Sequence, residues 1–259
     1  MRIAMQTPVN KLKVSLMNGV PQSGVWLSMG SLISAEIVSR AGFDWCLIDA
    51  EHGPNTPATI LPQLQAMNGS DCTAIVRVPV NEDWVIKQVL DLGAQSIMVP
   101  MVHTEQDAKN AVAAMRYPPH GRRGIGGALA RATGYNADTG YVATANAQVC
   151  TIVQIESQTA LDNLEAIAAV DGVDALFIGP ADLSADMGFA GQVDAPEVLA
   201  AIDDAIARIL KTGKGAGVLS FVPDTLIAYR GKGATLLAAS SDVTLLANSA
   251  RALSAELAP

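Results

Sequence analysis

Gln154 and Glu156 stand two residues apart in the apolar run Cys150–Glu156, and Asp182 lies just beyond a second such run, Ala175–Ile178. On a strand, residues i and i+2 face the same side. Gln154 and Glu156 therefore project together, and Ile155 faces away. A polar Gln154 inside a sheet costs free energy unless it is hydrogen-bonded. Two carboxylates on neighbouring strand ends can converge on one hard cation and leave other octahedral positions to water or a chelating substrate. That donor set suits Mg2+, Mn2+ or Co2+. The plainer alternative is that Asp182 caps the helix after it and Glu156 faces solvent.

Other apolar runs also end in polar residues. The second is followed by Asp49-Ala50-Glu51-His52-Gly53. A histidine there can act as a general base, because imidazole titrates near neutrality; it can also be an ordinary loop histidine. Asp49 is close enough in sequence to orient His52 or the waters of a cation. Arg77 ends the third run. A guanidinium at that point can stabilise negative charge developing on an oxygen, or simply pair with a neighbouring acid. Gly179-Pro180-Ala181 opens the helix after the sixth run, where free N–H groups can bind a carboxylate. His103 ends the fourth run, where it can cap a helix or line the mouth of a site.

The lysines are Lys11, Lys13, Lys87, Lys109, Lys211, Lys214 and Lys232. None ends an expected strand, and Lys214 precedes one. Aldol chemistry through a Schiff base needs a lysine projecting into the site, so any such chemistry here relies on a metal.

The elements that must position these residues are eight expected strands: Gly24–Ser28, Trp45–Asp49, Thr73–Val78, Ser96–Met101, Cys150–Glu156, Ala175–Ile178, Gly217–Phe221 and Thr235–Ala239. Amphipathic stretches near 31–41, 57–67, 82–92, 104–115, 157–169, 194–212, 223–230 and 242–257 separate them. Such alternation predicts a parallel sheet. Eight units favour a closed (β/α)8 TIM barrel over an open doubly wound sheet, although periodicity does not show closure. Active sites of such barrels lie at the C-terminal ends of the strands. The stretch from Tyr117 to Ala147 breaks the rhythm and reads either as a loop over the mouth plus a short helix or as an ordinary excursion or subunit contact.

A length of 259 residues suits one barrel domain, 1–259, since about 250 residues is typical. A formal charge of −8 disfavours nucleic acid and anionic membranes as partners. Cys46, Cys72 and Cys150 sit in or beside apolar runs and fit no zinc or disulfide spacing, which suggests a reducing cytoplasm. Met1–Val14 is too weakly apolar for a signal peptide. No apolar run approaches the roughly 18 residues that span a bilayer.

Several motifs together resemble the HpcH/HpaI family of class II pyruvate aldolases. They are Gly42-Phe43-Asp44-Trp45, Ile48-Asp49-Ala50-Glu51-His52, the run Ile86–Gln95, Arg116-Tyr117-Pro118-Pro119, Gly121-Arg122-Arg123-Gly124, Val153-Gln154-Ile155-Glu156 and Phe177–Ser184. Within that family the likeness is greatest to aldolases of 4-hydroxy-2-oxo diacids and of sugar acids.

The resemblance implies reversible cleavage of 4-hydroxy-2-oxoacids to pyruvate, or a close analogue, and an aldehyde, through a metal-stabilised enolate. Oxaloacetate decarboxylation is the implied side activity. It further implies that Glu156 and Asp182 hold a divalent metal and that Gln154 and the backbone at Ala181 contact pyruvate. His52 becomes the base, and Arg77 the group that steadies the enolate. Asp91 matches a carboxylate that supports the histidine. Asp91 falls at the end of a helix near the bottom of its own barrel, so it reaches a site only across a subunit boundary. The resemblance also implies a hexamer, a dimer of trimers, as the family often forms, whose last helix swaps between subunits; here that helix is Asp242–Leu257. Ala238-Ala239-Ser240-Ser241-Asp242 departs from the Val-Gly-Val-Asp-like run of the relatives, which puts aldehyde contacts there in doubt.

Two rival readings fit the same residues. One is a lyase for CoA thioesters on a related barrel, for which Arg122, Arg123 and Arg131 are the only cationic path. The other is a non-catalytic barrel that binds metal or acids.

Overall fold

The computed structural model describes residues 7–258. The first six residues of the N-terminal segment weighed above as a leader lie outside the described residues. Eight parallel strands close in chain order into one barrel. They are β1 (Gln22–Leu27), β2 (Trp45–Asp49), β3 (Thr73–Arg77), β4 (Ser96–Val99), β5 (Cys150–Ile155), β6 (Val173–Ile178), β7 (Gly215–Leu219) and β8 (Leu236–Ser241). The helices are α1 (Lys11–Met17), α2 (Leu32–Ser39), α3 (Pro57–Ala66), α4 (Asp83–Asp91), α5 (Glu105–Met115) and α6 (Tyr141–Gln148). Then follow α7 (Gln158–Asp162), α8 (Leu164–Ala168), α9 (Pro180–Asp186), α10 (Pro196–Lys211), α11 (Pro223–Gly231) and α12 (Asp242–Glu256).

Strand alternation sorts the core into two shells. Trp45, Leu47, Ile75, Ile152 and Phe177 point inward and form one apolar cluster. Cys46, Ile48, Val76, Val153 and Ile155 point outward into the shell between sheet and helices. Continuing the inward phase toward the strand ends leads to Asp49, Arg77, Gln154, Glu156 and Gly179. The apolar bottom and polar top of the barrel are thus one periodic pattern.

α1 was not expected. Leu12 and Leu16, one helical turn apart, enter the inner cluster and close the barrel where the strands begin. Full burial of Leu12 contributes about 1.5–3 kcal/mol, which explains why a mixed polar segment folds there. Several strands are displaced from their apolar runs: β6 begins at Val173, β7 at Gly215, and β8 continues to Ser241. Ladder bonds use the backbone of glycine and polar residues as readily as that of apolar ones.

The helix expected over 157–169 divides at Asn163, whose side chain donates to the carbonyls of His103 and Thr159. Gly179-Pro180-Ala181 opens a helix of its own, α9, ahead of α10. The stretch 117–147 contains the short helix but does not cover the mouth of its own barrel. Arg122 pairs with Asp83, Arg123 with Asp91, and Arg131 with the Leu92 carbonyl. These partners lie along α4 and hold the segment on the outside, running toward the bottom. Among the described residues, no helix is long and apolar enough to cross a membrane. Cys46, Cys72 and Cys150 are free and buried, as small hydrophobic residues would be.

Candidate active site

A cavity of about 240 Å³ opens at the C-terminal ends of the strands. Asp49, His52, Arg77, Gln154, Glu156 and Asp182 line it, together with Gly179 and Ala181. A larger cavity of about 450 Å³ lies where the strands begin, and none of these residues borders it.

β2 and β3 supply the first pair. Asp49 and Arg77 are register partners. Arg77 donates Nε–H to Asp49 Oδ1 at 2.9 Å and Nη2–H to Oδ2 at 2.8 Å. Both side chains are buried, so this bidentate pair is a strong one. Nη1 lies 2.7 Å from Glu51 Oε2 and 3.4 Å from Gln154 Oε1. The guanidinium also sits 4.1 Å from the centre of the Trp26 ring, a cation–π contact. The two sequence readings of Arg77 therefore coexist: it is paired with acids and it lines the cavity.

Asp49 Oδ1 also accepts the backbone N–H groups of Glu51 and His52. Its bonds go to the turn that carries His52 and to the guanidinium, rather than to the imidazole ring. The His52 side chain is 66 % exposed, with Nε2 3.9 Å from Glu51 Oε2. His103 stands back from the cavity, its Nδ1 2.8 Å from Ser157 Oγ.

β5 supplies the second pair. Gln154 accepts from Arg77 and donates Nε2–H to Glu156 Oε2 at 3.1 Å. It bridges the cation and the carboxylate, which answers the cost of its own burial. Glu156 is 3 % exposed and so does not face solvent. Its Oε1 accepts the Met101 N–H at 2.7 Å. Met101 holds a φ of 53°, an uncommon conformation for a residue with a side chain. The strain at the end of β4 aims this N–H at the carboxylate.

Burial pushes the Glu156 carboxyl up to about 7, and the charges of Glu51 and Asp182 push the same way. The Met101 N–H and Arg77 oppose that rise. Burial likewise raises Glu51, against the pull of Arg77. Asp182 lies in the first turn of α9, but the N-cap is Gly179. The capping role considered for Asp182 is thus filled by another residue. Gly179 carries no side chain because Glu156 occupies the space: a Cβ there would lie 2.5 Å from Glu156 Oε2.

Asp91 is not brought into this cavity. It ends α4 and pairs with Arg123 Nη2 at 2.7 Å. Glu51, Met101 and Trp26 belong to the site without having been assigned a role from sequence. Glu51 carried a weak signal, being next to His52. Trp26 and Met101 carried none, because a strand tryptophan and a methionine after a strand are ordinary.

The chemistry of the pocket fits a divalent cation. Burial and the neighbouring Glu51 and Asp182 carboxylates raise the Glu156 carboxyl and leave it short of positive charge, and these three carboxylates offer oxygen donors. Among the described residues, no group of three or more His, Cys, Asp and Glu side chains is arranged to hold a metal. Glu156 and Asp182 are the carboxylates of this cavity that could hold one.

A closed parallel barrel with charged residues gathered where β2, β3, β5 and β6 end has the layout of a (β/α)8-barrel enzyme. The chain belongs to the HpcH/HpaI aldolase/citrate lyase family, whose model matches residues 22–249. It is 49% identical over 251 residues to a hydroxypyruvate/pyruvate aldolase of Agrobacterium fabrum, covering 97% of this chain and 94% of that one. It is 49% identical over 246 residues to a 4-hydroxy-2-oxo-heptane-1,7-dioate aldolase of Salmonella dublin, covering 95% and 94%. An HpcH/HpaI aldolase/citrate lyase family protein from Burkholderia cenocepacia superposes with a TM-score of 0.93 at 39% identity, covering 96% of this chain and 99% of that one. The protein is a carbon–carbon lyase.

Proposed function

We propose that the protein is a class II aldolase that reversibly cleaves 4-hydroxy-2-oxoacids into an aldehyde and pyruvate or its hydroxy analogue. The observation that carries this reading is the continuous path Asp49–Arg77–Gln154–Glu156, buried and hydrogen-bonded, along one wall of a cavity that Asp182 and His52 also line. The names of the two 49%-identical relatives support the substrate class.

Glu156 and Asp182 would hold the divalent ion, Mg2+, Mn2+ or Co2+. When bound, the ion supplies Lewis-acid polarisation of the 2-oxo group. Gln154 and the N–H groups at the start of α9, including that of Ala181, orient the oxoacid. Gly179 leaves room for the Glu156 carboxylate beneath it. His52 removes a proton from the methyl group of pyruvate. The carbanionic carbon attacks the aldehyde carbon, and the resulting alkoxide takes up a proton, so none is consumed overall. Arg77, fixed by Asp49 and by the Trp26 ring, steadies the negative oxygen. Cleavage reverses each step. The same charge stabilisation supports decarboxylation of oxaloacetate.

The assembly reading is a homohexamer, a dimer of trimers with α12 exchanged. α12 buries only Asp242, while Leu245, Leu246, Leu253 and Leu257 stay exposed. In that assembly Asp91 serves the His52 of the partner subunit. The whole chain acts as one aldolase domain, and its three buried free thiols support a cytoplasmic setting.

The test is pyruvate release from a panel of 4-hydroxy-2-oxoacids, before and after EDTA treatment and readdition of each ion. Loss with EDTA and recovery with the ion are expected. Cleavage indifferent to EDTA, or borohydride trapping of pyruvate on a lysine, would overturn the metal-assisted reading.

A further inference from the structure

Arg123 is buried without full compensation. Its side chain is 0% exposed. Nη2 meets Asp91 Oδ1 at 2.7 Å, while Nε and Nη1 are buried and reach no acceptor. The guanidinium lies 4.4 Å from the centre of the Tyr117 ring and 5.9 Å from that of Tyr141. Burying a cation with unmatched donors is costly, and two aromatic faces offset only part of that. A surface segment could be fastened at lower cost. Arg122 does so beside it, gripping the exposed Asp83 at 2.6 and 2.8 Å.

The backbone explains which atom the buried arginine serves. Asp83, Lys87 and Asp91 form one stripe on α4, each a turn apart. Arg122 pairs with Asp83, Gly124 lies against the Lys87 stem, and Gly126 approaches Asp91. Segment 122–126 therefore runs in step with the helix, and the Arg123 side chain reaches the last carboxylate of the stripe. Asp91 keeps an outward edge: it is 24% exposed, and its other oxygen, Oδ2, is bordered by Gly126. One oxygen is gripped from inside by a caged cation, and the carboxylate is presented to the exterior.

We propose that Arg123 is a positioning residue for Asp91, holding its carboxylate in the orientation that meets His52 of the partner subunit. Tyr117 and Tyr141 form the cage that keeps the guanidinium in place. The inference rests on the reading that Asp91 acts across a subunit boundary. An aspartate on the last turn of a helix has free rotamers, and fixing one of them in advance removes an ordering cost from the reaction.

The experiment measures deuterium exchange at the pyruvate methyl group by NMR for Arg123→Met, Arg123→Lys, Asp91→Asn and the double variant Asp91→Asn/Arg123→Met, in the metal-loaded holoenzyme. Misplacing a catalytic geometry costs up to about a hundredfold. Arg123→Met should lower kcat at least about tenfold on that scale, with the pyruvate KM nearly unchanged and partial rescue by Arg123→Lys. The double variant should be no slower than Asp91→Asn alone. If Arg123→Met exchanges at the wild-type rate while Asp91→Asn does not, the role given to Arg123 is wrong and the Asp91 reading stands. If Asp91→Asn is also wild type, the reading beneath it fails. Additive losses would show Arg123 acting independently of Asp91.

Should Arg123→Met not fold alone, co-expression with His52→Ala keeps the idea testable. In mixed assemblies about a quarter of sites would combine His52 from one chain with an intact Asp91–Arg123 pair from another. Exchange should recover accordingly in assemblies that contain both chains, and mixed assemblies of Arg123→Lys with His52→Ala that hold both chains and show no recovery would sink the proposal.

Discussion

Gly179 and Glu156 stand on neighbouring strand ends, and the Glu156 carboxylate fills the space that a side chain on residue 179 would need. A Cβ on residue 179 would lie 2.5 Å from Glu156 Oε2 and 3.0 Å from its Cβ. Gly179→Ala must therefore displace Glu156 from the Met101 N–H and from Gln154. Disturbing the supports of a metal ligand typically costs about 10–100-fold in metal affinity. Titration of the apo variant with Mn2+ should show a loss in that range. Wild-type affinity would mean that this contact does not hold Glu156 in the position proposed for a metal ligand.

Asp49→Asn tests the other wall of the cavity. The substitution keeps the shape of Asp49 but removes the charge that Arg77 meets with two donors. Breaking a buried ion pair from one side costs about 3–5 kcal/mol. Glu51, 2.7 Å from Nη1, remains to compensate, so the loss should fall at the lower end. Urea denaturation reads it directly, and a change below about 1 kcal/mol, the range of exposed pairs, would show that Arg77 is better solvated than its burial suggests. Proton exchange at pyruvate should slow as well, because the turn bearing His52 hangs on the same carboxylate.

The raised Glu156 carboxyl makes the cation-free protein pH-dependent in a defined direction. Its ordinary value is 4.5, and in the fold it stands at about 7. Between those values the folded state binds more protons than the unfolded chain, so stability falls as pH rises through the window. The penalty is complete above about 7 and absent below about 4.5. At 1.36 kcal/mol for each pKa step it amounts to roughly 3 kcal/mol. Thermal melts of apo protein should drop from pH 5 to pH 8, Mn2+ should restore stability at the higher pH, and Glu156→Gln should flatten the slope. A wild-type apo slope of the opposite sign would contradict the origin assigned to it.

Much of this site was legible because a single period placed it. Asp49, Arg77, Gln154 and Glu156 share the inward phase of their strands with Trp45, Ile75 and Ile152; alternation paired Gln154 with Glu156, and their place at the ends of apolar runs marked Asp49 and Arg77. The limits of legibility are equally physical. Met101 contributes a backbone N–H, and no side-chain pattern encodes which N–H a strained φ will aim. Asp182 has the residue type of a helix cap, and only the backbone of Gly179 shows that the cap lies elsewhere. The direction of segment 117–147 depended on pairing between arginines and α4 across about thirty to forty residues of chain, a long-range choice that local propensity does not determine.

α12 gives the last test, because its sequence and its surroundings disagree. Asp242 anchors its start, accepting the Ser28 N–H and the Ser34 hydroxyl at 2.8 and 2.7 Å. Beyond that residue nothing on the helix is buried. Leu245 and Leu246 instead border an apolar cavity of about 410 Å³, with Met29, Ile33 and Ile37 on its other side. Each leucine covered by a second copy would contribute about 1.5–3 kcal/mol, enough for a few such residues to hold subunits together. If the proposed assembly forms through this face, Leu246→Asp combined with Ile37→Asp should lower the mass measured by light scattering below that of the unsubstituted protein, with helix content by circular dichroism retained. If the double variant keeps the mass of the unsubstituted protein at micromolar concentration, this face of α12 does not join subunits.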